Sequence, residues 1–215
     1  MRLLVKLILC FNIISCNPQI TKKQEINMKK FDIAFFNKNK NSLNEYIYEP
    51  DTRTVVHQQE LIDSYWEFHR KEDNYFEEVY EFYKDGGIKS SFLSFPNDFV
   101  KGIWKEYNEQ GILIKEENVD APFTYSWENI KVYLKAQKVN DIKKQVNNIS
   151  RWHDDESTTW TLDFNGTYRD IKGRFVITLD GKTGEELEVK RFRGKKALGE
   201  TGTIADYEML YQKED

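Results

Sequence analysis

Apolar and polar positions fall into distinct patterns along this chain. Residues 1–16, MRLLVKLILCFNIISC, place a short apolar run, Leu3 to Ile14, behind basic Arg2 and Lys6. Residues 17–30, NPQITKKQEINMKK, are polar and lack any period. Phe31, Ile33, Phe35 and Phe36 then make a first apolar patch, and the polar stretch 37–44, NKNKNSLN, reads as a loop. Residues 45–49, EYIYE, alternate like a strand, Pro50-Asp51 mark a turn, and Thr54-Val55-Val56 resume strand chemistry. Leu61 to Phe68 fits two templates: Leu61, Tyr65 and Phe68 make a helical stripe, while the aromatic content suits a strand.

Residues 126–147, SWENIKVYLKAQKVNDIKKQVN, predict the main helix. The Ser126 hydroxyl can accept from first-turn amides, Glu128 suits the positive N-terminus, and Trp127, Ile130, Tyr133 and Leu134 sit at helical spacing. A break is expected at Val139-Asn140-Asp141, with Asp141 capping a second short helix that carries Ile142 and Val146. The last third alternates again. Trp160, Leu162 and Phe164 share a face of TWTLDF, RFVITL (174–179) is a further strand, and Glu185 to Phe192 returns after a turn hinged on Gly181 and Gly184. Residues 193–204, RGKKALGETGTI, read as a flexible connection before a last short segment, DYEMLYQ. The fold class expected is α+β: antiparallel hairpins, then one main helix packing on a C-terminal antiparallel sheet.

An internal repeat stands in the middle. YEFYKDGGI (80–88) and WKEYNEQGI (104–112) match at a spacing of 24, pairing Tyr80 with Trp104, Tyr83 with Tyr107, Gly87 with Gly111 and Ile88 with Ile112. An aromatic strand, a polar turn needing Gly for positive φ and a second strand make a β-hairpin. Second strands are expected at 88–95 and 112–119, with Pro96-Asn97-Asp98 between the units. Tyr80, Tyr83, Trp104 and Tyr107 are the candidate binding surface.

Composition narrows the chemistry. Hydrophobic residues are 39% and aromatics 14%, enough for one large domain or two small ones. The formal charge of −4 becomes −6 without Arg2 and Lys6, and no basic face is evident, so nucleic acid is not an expected partner. The only cysteines are Cys10 and Cys16. The apolar run is too short for a spanning helix, which needs about 20 residues, but has the length of a secretory segment. Ile13-Ile14-Ser15-Cys16 resembles a bacterial lipobox. That resemblance implies a signal peptide over 1–15, a diacylglyceryl group on the Cys16 thiol, and a tether over 16–30. Cys10 then leaves with the signal and Cys16 is lipidated, so the remaining chain has no thiol for disulfides, zinc or nucleophilic catalysis. Asn17 in place of Asp after that cysteine implies the outer membrane, facing the periplasm.

The hairpins over about 75–120 resemble MORN-type repeats, most closely in WKEYNEQGILIKEENVD. The first copy departs from the pattern, with Asp85-Gly86-Gly87 at its turn and Ser90-Ser91 opposite Ile114-Lys115. The helix, the W-x-L strand and the strand ending L-D-G-K-T-G-E resemble the PepSY-like unit of exported bacterial proteins, with Asp180 and Gly184 as its turn residues. The organisation implied is an N-terminal mostly-β region over 31–122 and a helix plus PepSY-like region over 123–215. The lipobox, F-x-x-G-I-W-K-x-Y at 99–107 and S-W-E-N-I at 126–130 together resemble a group of uncharacterised lipoproteins of Bacteroidetes-type bacteria.

No residue pattern points to catalysis, a cofactor or a metal. Gly181-Lys182-Thr183 lacks the glycine a phosphate loop needs at position 176, which is Val176. His153-Asp154-Asp155-Glu156 is dense in metal-competent groups, yet neighbours on a strand face opposite ways and no second His follows at ligand spacing. His57 and His69 are isolated, and the carboxylate pairs Glu77-Glu78 and Glu116-Glu117 lie in strand-like segments. Neither Gly-x-Ser-x-Gly nor His-Glu-x-x-His occurs. The expectation is a membrane-anchored, non-catalytic module that binds a protein, such as a toxin or peptidase, as an immunity or inhibitor lipoprotein would. The alternative is a structural or lipid-contacting envelope protein built on the MORN-type hairpins.

Overall fold

The computed structural model describes residues 29–96, 98–199 and 202–214. The expected signal peptide, Cys16 and all of the expected tether except Lys29 and Lys30 lie outside them. A short helix, α1 (Ile33–Asn39), precedes β1 (Glu45–Asp51), β2 (Thr54–Glu60), β3 (Tyr65–Lys71), β4 (Glu77–Phe82), β5 (Ile88–Ser94), β6 (Val100–Tyr107) and β7 (Leu113–Asn118). These strands pair in chain order as an antiparallel, seven-stranded meander. Helices α2 (Trp127–Ala136) and α3 (Ile142–Gln145) then lead into β8 (Val146–His153), β9 (Thr158–Tyr168), β10 (Ile171–Asp180), β11 (Glu186–Leu198) and β12 (Gly202–Gln212). The second sheet is also antiparallel, ordered β12-β11-β10-β9-β8. The fold is α+β and mainly β.

Local chemistry explains the helices. At the start of α2 the Ser126 backbone N–H donates to the Asn129 side chain (2.9 Å), and Ser126 Oγ accepts from the Asn129 amide in return. The apolar stripe of α2 is spent on packing: Trp127, Ile130 and Leu134 share one core with Ile149, Trp160, Leu162, Phe164, Phe175, Ile177, Leu179 and Val189. Each such side chain, fully buried, contributes about 1.5–3 kcal/mol.

The structure corrects several expectations. The stretch 37–44 is not all loop, because α1 extends to Asn39; Asp32 Oδ1 accepts the Phe35 amide (2.9 Å) and Phe36 is fully buried. Leu61 to Ser64 form a turn and β3 begins at Tyr65, so the strand template wins. Strand β1 runs through Asp51. Val146 is in a strand, not a helix. The Gln145 side chain accepts the amides of Asn140 and Asp141 (2.8 and 2.9 Å), closing α3 after one turn, and Val146 pairs with Phe164. Residues 193–204 are not a connection throughout, since β11 continues to Leu198 and pairs with β12 from Gly202.

The L-D-G-K-T-G-E turn is closed by its own aspartate. Asp180 Oδ1 accepts the amides of Lys182 (2.9 Å) and Thr183 (2.7 Å), so a carboxylate occupies the turn's donors. Gly184 sits at φ +78°, and a Cβ there would lie 2.1 Å from the Tyr125 ring.

One side chain joins the two sheets. Arg151, on β8, donates to Asp120 Oδ1 (2.7 Å) and to the carbonyls of Val100 (2.5 Å) and Val119 (3.0 Å). Its guanidinium carbon lies 5.2, 4.5 and 5.5 Å from the ring centres of Phe99, Phe123 and Trp160. Phe76, Phe95 and Phe99, from connections of the first sheet, pack around Trp127 at the same junction.

Arg151→Met removes the partner of Asp120 Oδ1 and of two carbonyls, and should lower stability by about 3 kcal/mol in urea denaturation. Gly184→Ala combines a left-handed φ with the Tyr125 clash, and should cost about 2 kcal/mol or more in the same assay.

Candidate functional site: the two faces of the seven-stranded sheet

Strand pairing fixes which side chains share a face. Tyr65 lies opposite Phe82, Glu67 opposite Tyr80, and His69 opposite Glu78, so these six point one way. Trp66 opposite Glu81, Phe68 opposite Val79, and Arg70 opposite Glu77 point the other way. The two faces are treated differently by the rest of the chain.

The first face is covered by the segment 29–40, which includes α1. Phe31 stacks on Tyr65 (4.5 Å between ring centres) and lies 5.4 Å from Phe82, and Phe36 meets Tyr65 edge-on (5.7 Å). Phe31, Phe36, Tyr65, Phe82 and Ile88 form a core of their own. Beside it is a buried polar cluster. Glu67 accepts from Gln58 Nε2 (2.7 Å), is hydrogen-bonded to His69 Nε2 (2.6 Å) and pairs with Lys29 Nζ (2.8 Å). Lys29 also lies 3.4 Å above the centre of the Tyr80 ring. Burial alone would raise the Glu67 carboxyl, but its bonds to His69, Lys29 and Gln58 outweigh that and hold its pKa at about 2. Tyr80 is pushed upward by burial and by its bond to Glu78.

The second face carries a row of rings across four strands. His57 stacks with Phe68 (5.7 Å), Phe68 with Trp66 (5.9 Å), Trp66 meets Phe92 edge-on (6.3 Å), and Phe92 stacks with Trp104 (4.7 Å). Val79, between Phe68 and Phe92, is 1% exposed. None of these side chains belongs to either hydrophobic core. Their rim charges are already paired: Lys89 with Glu81 (2.6 Å), Arg70 with Glu77 (2.8 Å) and Lys115 with Glu106 (3.6 Å). Two ring nitrogens on this face, Trp104 Nε1 and His57 Nε2, are buried without a hydrogen-bond partner. Arg70 also lines a cleft of about 300 Å³ shared with Tyr75, Phe95, Ile142 and Val146, where the two sheets meet.

The four predicted binding residues divide between the faces. Tyr80 packs against the core under the N-terminal segment, Tyr83 and Trp104 line a shallow depression on the opposite side with Lys89 and Glu81, and Tyr107, at the end of β6, borders both. Tyr80 alone does not share that depression. The cause is a slip in the repeat alignment. Tyr83 accepts from Gly86 N and donates to Gly87 O, as Asn108 does with Gly111 and Ile112, and the positive-φ glycines are Gly86 and Gly111. The pairs Phe82–Ile88 and Tyr107–Leu113 show the same offset of 25. Trp104 is therefore equivalent to Val79, and Tyr80 to Lys105. A slip of one residue turns a side chain to the other face.

The remaining candidate groups are dispersed. His57 is on the aromatic face, His69 is in the Glu67 cluster, and His153 bonds Thr158 Oγ1 (2.9 Å) at a sheet edge. Asp154 caps its own turn, accepting from Glu156 N (3.0 Å), Ser157 N (2.7 Å) and Trp152 Nε1 (2.7 Å). Glu77 pairs with Arg70 on one face and Glu78 with Lys71 on the other. Among the described residues, no group of three or more His, Cys, Asp or Glu is placed to hold a metal ion, and no helix is long and apolar enough to cross a membrane. Compared with known protein families, with curated proteins and with solved structures, the chain matches none.

The Glu67 cluster sets a pH dependence. A carboxyl whose folded pKa lies below the ordinary 4.5 contributes stability that is complete above that value and is lost as pH falls towards 2. Glu67→Gln should therefore lower stability at pH 7 by about 2 kcal/mol and flatten the decline between those pH values, as read by chemical denaturation at a series of pH.

Proposed function

We propose that this chain is a lipid-anchored envelope protein whose body binds another protein, without catalysis, through the aromatic face of its seven-stranded sheet. One observation carries the reading: the row His57, Phe68, Trp66, Phe92 and Trp104 belongs to neither core, and no layer of the described chain is packed on it. A sheet face with large apolar side chains is stable when another layer lies on it, and aromatic residues with few free charges mark the centres of protein interfaces. The rings pack against one another along and across strands as one continuous ridge. Such a ridge suits the side chains of a protein.

In this reading the hairpins over 75–120 are MORN-type and form the binding sheet, and α2 with the strands from 159 to 190 is a PepSY-like unit that supports it. The residues 1–16 export the chain and place a lipid on Cys16, which fits an outer-membrane position facing the periplasm. The partner is of the kind an immunity or inhibitor lipoprotein meets, a toxin or a peptidase.

A photo-cross-linking residue placed in the full-length protein at Glu106, on the aromatic face, should give a discrete adduct in cell envelopes. The same residue at Thr161, on the outer face of the second sheet, should give none. Trp104→Ala should weaken the identified complex at least tenfold, about 1.4 kcal/mol, while the free protein still melts cooperatively at a modestly lower temperature. Equal adducts from both positions would defeat the proposal.

A further inference from the structure

Consecutive antiparallel strands alternate ends, so the seven-stranded sheet has two rims. One rim, with the connections that hold Phe76, Phe95 and Phe99, meets the second sheet. The other holds the entry to β1 and the turns β2–β3, β4–β5 and β6–β7. This free rim presents aliphatic side chains that neither core uses: Leu43 is 73% exposed, Ile62 100%, and Ile112 and Ile114 61% each. Leu61 and Leu113 are exposed beside them.

The path of the chain indicates what meets this rim. Lys30 bridges to Gly87, and Phe31 N donates to Gly86 O (3.0 Å), both in the β4–β5 turn. The residues before Lys29, with the apolar run and Cys16, therefore join the body beside the same turns. Twelve residues separate Cys16 from Lys29, which covalent geometry limits to about 45 Å even at full extension, so a lipid on Cys16 keeps this rim within that distance of a bilayer. The shape of the patch points the same way. Leu43 and Ile62 lie to one side of the β4–β5 turn, Ile112 and Ile114 to the other, and Lys84 on that turn is paired to Glu60 (2.8 Å). Separate protruding points need no shape-matched groove, and a fluid interface accommodates them.

We infer that the free rim of the seven-stranded sheet is a lipid-contacting edge, with Leu43, Ile62 and Ile112 entering the boundary between headgroups and acyl chains. The inference rests on the reading that Cys16 carries the lipid. The sheet then stands on end, and strands of six to eight residues hold the second sheet about 20–25 Å above the bilayer.

The test uses full-length protein purified from membranes and reconstituted into vesicles of phosphatidylethanolamine and phosphatidylglycerol. If signal removal and lipidation occur, the parent protein takes up no thiol reagent, and labelling of the parent would refute that reading separately. Ile62→Cys, Ile112→Cys and, as control, Thr161→Cys are each labelled with an environment-sensitive fluorophore. Should the parent label, the same variants are made in residues 17–215, which retain every described contact and no native cysteine, and are mixed with the vesicles. Expected are a blue-shifted emission at 62 and 112 and severalfold quenching by spin-labelled acyl chains, with neither at 161. Emission at 62 and 112 that matches 161 would overturn the inference. So would a blue shift that spin-labelled lipid does not quench, which would indicate cover by protein, such as a second copy.

Discussion

The guanidinium of Arg151 belongs to both halves of the molecule at once. It projects from an edge strand of the second sheet, yet two of its acceptors are backbone carbonyls at the start of β6 and just after β7. A buried charge of this kind is costly unless every donor direction is answered. Here a carboxylate, two carbonyls and the faces of three aromatic rings answer it. Arginine suits the position because its planar fork reaches several acceptors while its flat face lies on rings; lysine has one point charge and no such plane. The aromatic wall of Phe76, Phe95, Phe99, Trp127 and Trp160 closes around this group, so the junction between the sheets is both packed and directional.

With the sheets fixed end to side, the first sheet cannot fold back onto the second and must find cover elsewhere. The described chain supplies cover for one face alone. Twelve residues, 29–40, lay Phe31 and Phe36 on Tyr65 and Phe82, and Lys29 completes the Glu67 cluster. The opposite face makes do with its own side chains: large rings lean together around Val79, and ion pairs at the rim neutralise the charges there. That arrangement is stable enough to fold and still leaves apolar area for a second molecule to bury.

Much of this architecture was legible from period alone. The alternation of Trp160, Leu162 and Phe164, the Ser126-led helix and the hairpin turns each follow from a local rule that the tertiary structure leaves intact. What was not legible depends on charge in unexpected places. Strand β8 has Arg151 facing the core, so its inward positions do not read as apolar, and Glu67 is a buried carboxylate on a strand that otherwise looks like a mixed surface. The long β11–β12 hairpin carries lysines and glycines that resemble a linker until pairing is seen. The division of Tyr80 and Trp104 between faces was hidden for another reason. Asp85-Gly86-Gly87 offers two glycines for one left-handed position, and matching the wrong one shifts the repeat by a residue.

The same division separates the aromatic face from the aliphatic rim. The aromatic face is built from strand interiors, around Trp66, Phe92 and Trp104, where replacing a ring disturbs its stacked neighbours. The tips of the aliphatic rim, Leu43, Ile62 and Ile112, are turn residues, so a polar substitution at Ile62, fully exposed, removes apolar area without opening a cavity. On a sheet standing on its rim, the ring ridge is turned sideways and the Glu67 cluster ties the N-terminal segment to the opposite side. A partner on the ridge and a bilayer under the rim would then meet the protein along perpendicular directions, so neither excludes the other. Coupling between them would have to run through the sheet.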